Sequence, residues 1–245
     1  MRLFGQDISV HFKIRLNKKN IPYKIDTAIQ KKVLGSHSQY LEDIFIDSIF
    51  RGKSSGPYVD IGANDPSELS NTKRFYDRGW SGVNVEPDVR MHQKLCVERP
   101  RDTNLNIGIG NTAGELTFYE LSANTLSTFN KESALESVRN EKVVIVSETP
   151  VKVISLADLF RENVPDGKID FMSVDAEGLE IEIMSSNNWE QFRPIAVIIE
   201  VNQDKRGGVA RLMQDNGYFL VYYNGTNGIF VDNSAEVIRD YLHQP

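Results

Sequence analysis

Four acidic residues stand at or just after short apolar stretches that have the length of buried strands. They are Asp60, Glu86, Asp175 and Glu200. The carboxyl ends of parallel strands lie along one edge of a sheet, so we expect these four acids to converge on one crevice. Carboxylates at that edge can accept hydrogen bonds from the hydroxyl and amino groups of a ligand. The spacing therefore predicts a ligand site at the edge of a parallel sheet.

The turn after the first of these stretches indicates the kind of ligand. Gly62 allows a tight turn and leaves room for a bound molecule. The chain contains no Gly-x-Gly-x-x-Gly pattern, and Glu86 follows Asp60 by 26 residues, against roughly 20 between a glycine turn and a ribose-binding acid. A ligand without a pyrophosphate is therefore expected. S-adenosylmethionine is such a ligand, with an amino-acid end for polar groups and a ribose for an acid.

The acceptor group could be activated in two ways, by a base or by a metal ion. If the ligand is S-adenosylmethionine, the expected reaction is a methyl transfer, an in-line displacement in which a base takes the proton of the acceptor. Asp175 is the candidate base, with Glu177 as the second catalytic candidate. Alternatively, Asp175, Glu200 and Asn202 could bind Mg²⁺ or Mn²⁺, because oxygen ligands suit hard cations.

Other catalytic patterns are missing from the sequence. The four histidines have no metal-ligand spacing, and His37 is expected at the surface. The single cysteine, Cys96, is expected in the core and not as a nucleophile. No Gly-x-Ser-x-Gly elbow or Walker loop occurs. The glycines at 108, 110 and 114 favour a turn over a phosphate cradle.

The elements that must position the acids alternate along the chain. Strands and helices alternate over residues 57–201, which predicts an α/β fold with a mainly parallel sheet. Residues 218–223 and 228–231 predict a C-terminal antiparallel hairpin. A helix is expected over residues 38–50, with Ser38 as its N-cap.

Two later segments carry weaker patterns. Thr103 to Ile107 is expected to form the third strand. Ser122 to Thr149 lacks periodicity and is long, which predicts an irregular, mobile flap over the mouth of the site.

Composition limits the class of protein. The chain has 245 residues, 40% of them hydrophobic, and a net charge of −6. This charge argues against a nucleic-acid partner. One cysteine permits no internal disulfide, and neither a signal peptide nor a transmembrane run is recognisable. We therefore expect a cytoplasmic protein.

The charge is divided unevenly along the chain. Residues 1–35 carry a net charge of +6, and the remaining residues carry −12. Residues 8–16 alternate with period two, which predicts a strand in an N-terminal β arm. The expected domains are a basic arm, 1–35, and a catalytic domain, 36–245. The arm is expected to pack on the main sheet or on a second subunit, which leaves a homo-oligomer open.

Several motifs follow one another in the order seen in FkbM-type methyltransferases, which this sequence resembles between residues 36 and 202. The motifs are Ser38-Gln39-Tyr40-Leu41-Glu42-Asp43, Val59-Asp60-Ile61-Gly62-Ala63-Asn64-Asp65, Ser70-Asn71-Thr72, Gly79-Trp80-Ser81-Gly82-Val83 with Glu86-Pro87, and Val174-Asp175-Ala176-Glu177-Gly178-Leu179-Glu180. The resemblance implies a Rossmann-like class I methyltransferase fold. It also implies O-methylation with S-adenosylmethionine, often of a sugar in a polysaccharide, glycolipid or glycosylated metabolite.

The same resemblance assigns roles to residues. Asp60, Gly62 and Asn64 would hold the methionine end of the cofactor, and Glu86 its ribose. Asp175 would face the acceptor hydroxyl. The remaining cofactor-binding residues implied by the motifs are Gln39, Asp65, Pro87, Ile107 and Gly108, the last two against the adenine.

Two other classes of function remain open at this point. An α/β oxidoreductase with a nicotinamide cofactor is disfavoured by the missing glycine fingerprint. A non-catalytic cofactor-binding subunit that partners an active enzyme is disfavoured by the full set of strand-end acids. Turnover with a hydroxylated acceptor distinguishes the second class from an enzyme.

Overall fold

The computed structural model describes residues 33–51, 53–201 and 206–235. The chain divides into two compact units, Met1–Ser36 and His37–Pro245, and the fold below is that of the second unit. The strand predicted for the N-terminal β arm lies outside the described residues, as does Asn202 of the predicted metal ligands. The division into a basic arm and a catalytic domain stays a prediction.

Strands and helices alternate along the described chain. The strands are β1 (Pro57–Ile61), β2 (Ser81–Val85), β3 (Thr103–Leu105), β4 (Gly108–Ile109), β5 (Gly114–Leu121), β6 (Ile145–Ile154), β7 (Phe171–Val174), β8 (Ala196–Glu200), β9 (Tyr218–Tyr223) and β10 (Asn227–Asp232). The helices are α1 (Glu42–Ile49), α2 (Lys73–Arg78), α3 (Val89–Glu98), α4 (Lys131–Asn140), α5 (Leu156–Asn163), α6 (Glu180–Ser185) and α7 (Arg206–Asp215). Each described helix is too short or too polar to cross a membrane.

Seven strands form one sheet in the order β3-β2-β1-β7-β8-β10-β9. The first five of these pair in parallel. The hairpin of β9 and β10 is antiparallel, and β10 lies between β8 and β9. The predicted α/β fold, Rossmann-like with a C-terminal antiparallel hairpin, is therefore confirmed for the described residues.

Apolar side chains cover both faces of this sheet. Val59 and Ile61 of β1 pack into a cluster with residues of α5, α6 and α7. Tyr58, directly before Val59, packs on the opposite face with residues of α1 and α2. Trp80 and Phe171 lie in the second cluster with ring centroids 6.0 Å apart. Burial of each large apolar side chain contributes about 1.5–3 kcal/mol to the free energy of unfolding. Packing on both faces therefore fixes the positions of the strand ends.

Helix α1 begins at Glu42, so the prediction of a helix from Ser38 is wrong for its first turn. Leu41 has a φ of 73°, which breaks the helical path. The Glu42 carboxylate accepts a hydrogen bond from the N–H of Tyr40 at 2.7 Å, and the Asp43 carboxylate accepts one from the Ser38 hydroxyl at 2.8 Å. The two acids thus fold the preceding residues into a turn of their own.

Glu42 also connects the first helix with the last hairpin. Its Oε1 accepts hydrogen bonds from the side-chain amides of Asn224, at 2.6 Å, and Asn227, at 2.7 Å. The Glu42 side chain is fully buried. Because a buried carboxylate without hydrogen bonds is costly, these contacts fix the hairpin turn beside α1.

The segment Ser122 to Thr149 is more regular than predicted. It contains α4, whose N-cap Asn130 accepts a hydrogen bond from the N–H of Ser133, and the first half of β6. β6 pairs antiparallel with β5 and parallel with β4 to form a second, three-stranded sheet. The prediction of an irregular segment is wrong there, because pairing with β5 supplies an order that local periodicity does not encode.

Two further expectations are wrong in detail. The third strand ends at Leu105, and the chain then enters the second sheet at Gly108. Cys96 is exposed and not in the core. Helix α3 instead buries Met91 and Leu95.

Candidate active site

A cleft of about 750 Å³ opens at the carboxyl ends of β1, β2, β7 and β8. The predicted residues that line it are Gln39, Asp60, Gly62, Asn64, Asp65, Glu86, Pro87, Gly108, Asp175, Glu177 and Glu200. Ile107 does not line the cleft and packs against the apolar core. His37 is also outside it, with Nδ1 3.3 Å from the carbonyl oxygen of Ser67.

The register of the strands explains why the acids meet. Asp60 lies opposite Asn84 in β2 and opposite Ser173 in β7. Successive side chains of a strand point to opposite faces, so the positions two residues further on share one face. Those positions are Gly62, Glu86, Asp175 and, one strand further, Glu200.

Gly62 is required by a close approach of two backbone segments. Its φ is 76°, and a Cβ atom there would lie 1.8 Å from the carbonyl oxygen of Asp175. The N–H of Asp175 donates to the carbonyl of Ile61 at 3.0 Å. Only glycine allows the turn after β1 to run this close to the turn after β7.

Asp60 is a buried acid at the floor of the cleft. Its Oδ2 accepts a hydrogen bond from the Thr72 hydroxyl at 2.7 Å. Burial raises the pKa of Asp60, and the bond from Thr72 and the charge of Arg99 oppose that rise. A positive ligand group beside Asp60 would stabilise its ionised form further.

Glu86 organises the loops around it. Its Oε2 accepts a hydrogen bond from the N–H of Asn64, and its Oε1 accepts one from the N–H of Asp88, each at 2.7 Å. Burial raises the pKa of Glu86 to about 7. Asn64 has a φ of 48°, so the bond from its N–H secures an unusual backbone conformation.

Asp65 lines the cleft but serves the turn after β1. Its Oδ1 accepts hydrogen bonds from the N–H groups of Ser67 and Glu68 at 2.9 Å. Burial acts to raise the pKa of Asp65, but these bonds and Lys94 hold it below its ordinary value. The carboxylate therefore stabilises the loop in its ionised form.

Asp175, Glu177 and Glu200 form a carboxylate cluster in the cleft. One oxygen of each lies within 4.8 Å of the others. Asp175 is open to the cleft, but the surrounding protein and the neighbouring acids raise its pKa to about 7. Burial, Asp175 and Glu200 raise the pKa of Glu177 to about 9. Like charges this close do not all ionise at neutral pH.

Glu180 holds the loop that carries Asp175 and Glu177. Its side chain is 2% exposed, and Oε1 accepts hydrogen bonds from the N–H groups of Gly178, at 2.8 Å, and Ala176, at 3.3 Å. Sequence reasoning gave Glu180 no role. An acid two residues after a glycine at a helix start was the available signal.

The segment of residues 122–129, here called the cover, lines the cleft from the second sheet. The side-chain amide of Asn124 donates to Oδ1 of Asn64 at 2.6 Å. The hydroxyl of Thr128 donates to the carbonyl oxygen of Glu177 at 3.1 Å. The cover therefore contacts the loop after β1 and the loop after β7.

An aromatic wall closes the cleft beside β4, and sequence reasoning missed it. Phe118 and Phe129 lie with ring centroids 5.0 Å apart. A Cβ atom at Gly108 would lie 2.5 Å from the ring of Phe129. Gly108 thus admits the ring, and Phe118 and Phe129 give the lining of the cleft an apolar part.

Comparison with known proteins places the chain in context. The family description Methyltransferase FkbM domain matches residues 60–242. The comparison with curated proteins gave no match. A solved TehB-like SAM-dependent methyltransferase from Corynebacterium glutamicum is similar with 9% identity and a TM-score of 0.41, over 86% of this chain and 97% of its own.

A second solved structure is similar at the same level. The precorrin-6y C5,15-methyltransferase from Geobacter metallireducens has 15% identity and a TM-score of 0.38, over 78% of this chain and 87% of its own. At scores this low, neither likeness carries an argument about acceptor or mechanism.

Proposed function

The chain belongs to the FkbM methyltransferase family, and from that premise we propose that it methylates a hydroxyl group of a saccharide. Its dependence on S-adenosylmethionine follows from the family. The observation that carries the choice of O-methyl transfer is the carboxylate of Asp175. It is open to the cleft, and its pKa of about 7 suits a base that works near neutral pH.

The donor set of the cleft fits S-adenosylmethionine. When bound, the cofactor supplies an electrophilic methyl group. Asp60 offers a carboxylate to the ammonium group of its amino-acid end, beside Gly62 and Asn64. Glu86 retains acceptor capacity for the ribose hydroxyls, because each of its oxygens takes one backbone N–H and a carboxylate accepts about four hydrogen bonds.

The carboxylate cluster divides the proton chemistry between its members. Asp175 becomes ionised as the pH passes about 7 and can then take the proton of an acceptor hydroxyl. Glu177, with a pKa of about 9, stays protonated at neutral pH and can donate a hydrogen bond. Sugar hydroxyls are weak acids, so a positioned base is needed for them more than for a phenol.

A divalent cation is the second form of activation that we propose to test. The oxygens of Asp175, Glu177 and Glu200 suit Mg²⁺ or Mn²⁺ by their chemistry, and one oxygen of each lies within 4.8 Å of the others. A bound cation would supply positive charge that favours the ionised form of the hydroxyl. Loss of turnover in EDTA and recovery with Mg²⁺ would support this form over the base alone.

The polar lining near the cluster supports a saccharide acceptor. Asn71, Ser173, Thr226 and Asn227 line the cleft with uncharged donors and acceptors. Such groups match a molecule that carries several neighbouring hydroxyls.

Transfer of tritiated methyl groups from S-adenosylmethionine to a panel of neutral glycans, glycolipids and phenols tests this choice. Label in a methyl ether of a sugar supports the proposal. Label only in phenols, or in nitrogen or carbon positions, would contradict it.

A further inference from the structure

Arg99 is a buried cation beside the loop after β1. It is 1% exposed and lies directly after α3. Its Nε donates to the carbonyl oxygen of Pro66 at 2.9 Å, Nη2 donates to the Ser70 hydroxyl at 2.8 Å, and Nη1 donates to the Thr72 hydroxyl at 2.8 Å. A buried guanidinium is costly unless hydrogen bonds compensate it, and here they all go to the loop after β1.

The nearby acid Asp102 is bound to other groups. Its carboxylate accepts hydrogen bonds from the Tyr58 hydroxyl at 2.5 Å, the N–H of Gly82 at 2.9 Å and the side-chain amide of Asn84 at 3.0 Å. Asp102 stays 4.0 Å from Nη1 of Arg99, which is beyond a hydrogen bond. Arg99 therefore donates its hydrogen bonds to the loop after β1 and not to Asp102.

The Thr72 hydroxyl has a fixed direction as a result. A guanidinium only donates, so the Thr72 oxygen accepts from Arg99 and its single proton is left for another acceptor. The nearest is Oδ2 of Asp60 at 2.7 Å, compared with 3.3 Å to the Ser70 hydroxyl. Thr72 thus donates to Asp60, and Asp60 acts as the acceptor.

We infer that Arg99, acting through Thr72, is a positioning residue that holds Asp60 as an oriented carboxylate for the ammonium group of the cofactor. This inference rests on the proposed function, in which Asp60 receives that end of the cofactor. The bond from Thr72, the charge of Arg99 and a bond from Ser173 also oppose the rise that burial causes in the pKa of Asp60. The contacts from Arg99 through Thr72 to Asp60 therefore affect the binding of the amino-acid end of the cofactor and not the binding of its adenosine end.

Two ligands separate those ends. S-adenosylhomocysteine has the amino-acid end, and 5′-methylthioadenosine lacks it. For Thr72→Val, which keeps the side-chain shape without the hydroxyl, we expect affinity for S-adenosylhomocysteine to fall about ten- to hundredfold. Affinity for methylthioadenosine should stay within about twofold, and Thr72→Ser should restore both to wild-type values.

Arg99→Lys is the second variant, because one ammonium group cannot serve Pro66, Ser70 and Thr72 together. Arg99→Lys should also weaken binding of S-adenosylhomocysteine and leave the affinity for methylthioadenosine unchanged. Arg101→Lys is its matched control, since Arg101 stacks on Tyr76 and does not contact Thr72. Calorimetry gives the affinities, and the melting temperature reports folding.

Three results decide between the outcomes. An equal loss of affinity for both ligands in Thr72→Val would show damage to the whole site and would overturn the role of Arg99 and Thr72 in positioning Asp60. Unchanged affinity for S-adenosylhomocysteine in Thr72→Val and Arg99→Lys would overturn it as well. A wild-type protein that binds neither ligand would overturn the proposed function, and the inference with it.

Discussion

The side-chain amide of Asn124 lies 2.6 Å from the side-chain oxygen of Asn64, and this hydrogen bond joins the cover to the loop after β1. The other end of the cover is held more firmly. Thr128 exchanges two main-chain hydrogen bonds with Tyr119 and donates from its hydroxyl to the carbonyl of Glu177. We therefore expect the cover to open at Asn124 and to stay attached at Thr128.

Loss of the Asn124 amide should speed the release of cofactor. In Asn124→Ala, dissociation of S-adenosylhomocysteine should be about two- to tenfold faster, since one neutral hydrogen bond closes the cover. Stopped-flow fluorescence measures the rate. Asn111→Ala, in an exposed turn, is the control and should not differ from wild type.

Hydrogen exchange over residues 122–126 should slow when cofactor and acceptor bind together, and equal exchange in both states would contradict an opening cover.

Removal of the Glu86 carboxylate should weaken cofactor binding. Glu86→Ala should cost about 1–3 kcal/mol in affinity for S-adenosylhomocysteine, the range for hydrogen bonds to a charged group. The N–H groups of Asn64 and Asp88 also lose their acceptor, so the melting temperature should fall. Calorimetry on Glu86→Ala and on the exposed control Glu162→Ala measures the difference. Unchanged affinity would remove Glu86 from the ribose site.

Asp175→Asn should separate binding from turnover. Affinity for S-adenosylhomocysteine should stay near wild type, and turnover should fall about 10²–10⁴-fold, the usual contribution of a positioned acid or base. Wild-type turnover should rise as the pH passes about 7, where Asp175 becomes ionised. The measurement is label transfer at saturating cofactor, with Glu182→Gln of α6 as control. Full activity in Asp175→Asn would make Glu177 the next candidate.

Glu177 should make the cofactor-free protein less stable as the pH rises. Its pKa is raised from 4.5 to about 9 in the folded state, so folding favours the protonated form. The stabilisation is complete below about pH 4.5 and is lost progressively toward pH 9. Glu177→Gln, which cannot ionise, should therefore gain melting temperature over wild type increasingly from pH 5 to pH 8. A constant difference between the two proteins over that range would contradict the assignment.

Gly62→Ala should be strongly destabilising. A Cβ atom at Gly62 meets the Asp175 carbonyl, and the φ of 76° adds strain. The control is Gly207→Ala in α7, where nothing lies within 4 Å of an added Cβ. That change should be neutral or stabilise by up to about 1 kcal/mol. Chemical denaturation of both variants measures the contrast, and equal stability would show that the two loops can separate.

The sequence was sufficient to predict the acids of the cleft because their positions follow from local rules. Asp60, Glu86 and Asp175 stand at the ends of apolar strands, and parallel pairing brings such ends together. The turn glycine Gly62 was visible for the same reason. The contact that requires glycine there is with the carbonyl oxygen of Asp175. Asp175 lies more than a hundred positions further along the chain, so the sequence did not predict this contact.

Other parts of the site depend on pairings that no local pattern specifies. The first half of β6 is ordered by β5, and the cover that follows β5 reaches Asn64 and Glu177 only because the second sheet stands beside the cleft. Phe129 enters the wall because Gly108 has no side chain. No local pattern connects Glu42 with its partners Asn224 and Asn227, which lie more than 180 positions further along the chain.

The position of β10 between β8 and β9 has a consequence for the order in which the chain emerges from the ribosome. Until Asp232 has been synthesised, β8 keeps one row of its main-chain hydrogen-bonding groups unpaired, along the apolar run from Ala196 to Ile199. Such an edge can pair with the same edge of another nascent chain. The main sheet therefore stays incomplete until the C-terminal hairpin has been translated. Nascent chains that stall before the hairpin expose β8 as an unpaired edge strand, which β10 covers in the finished chain.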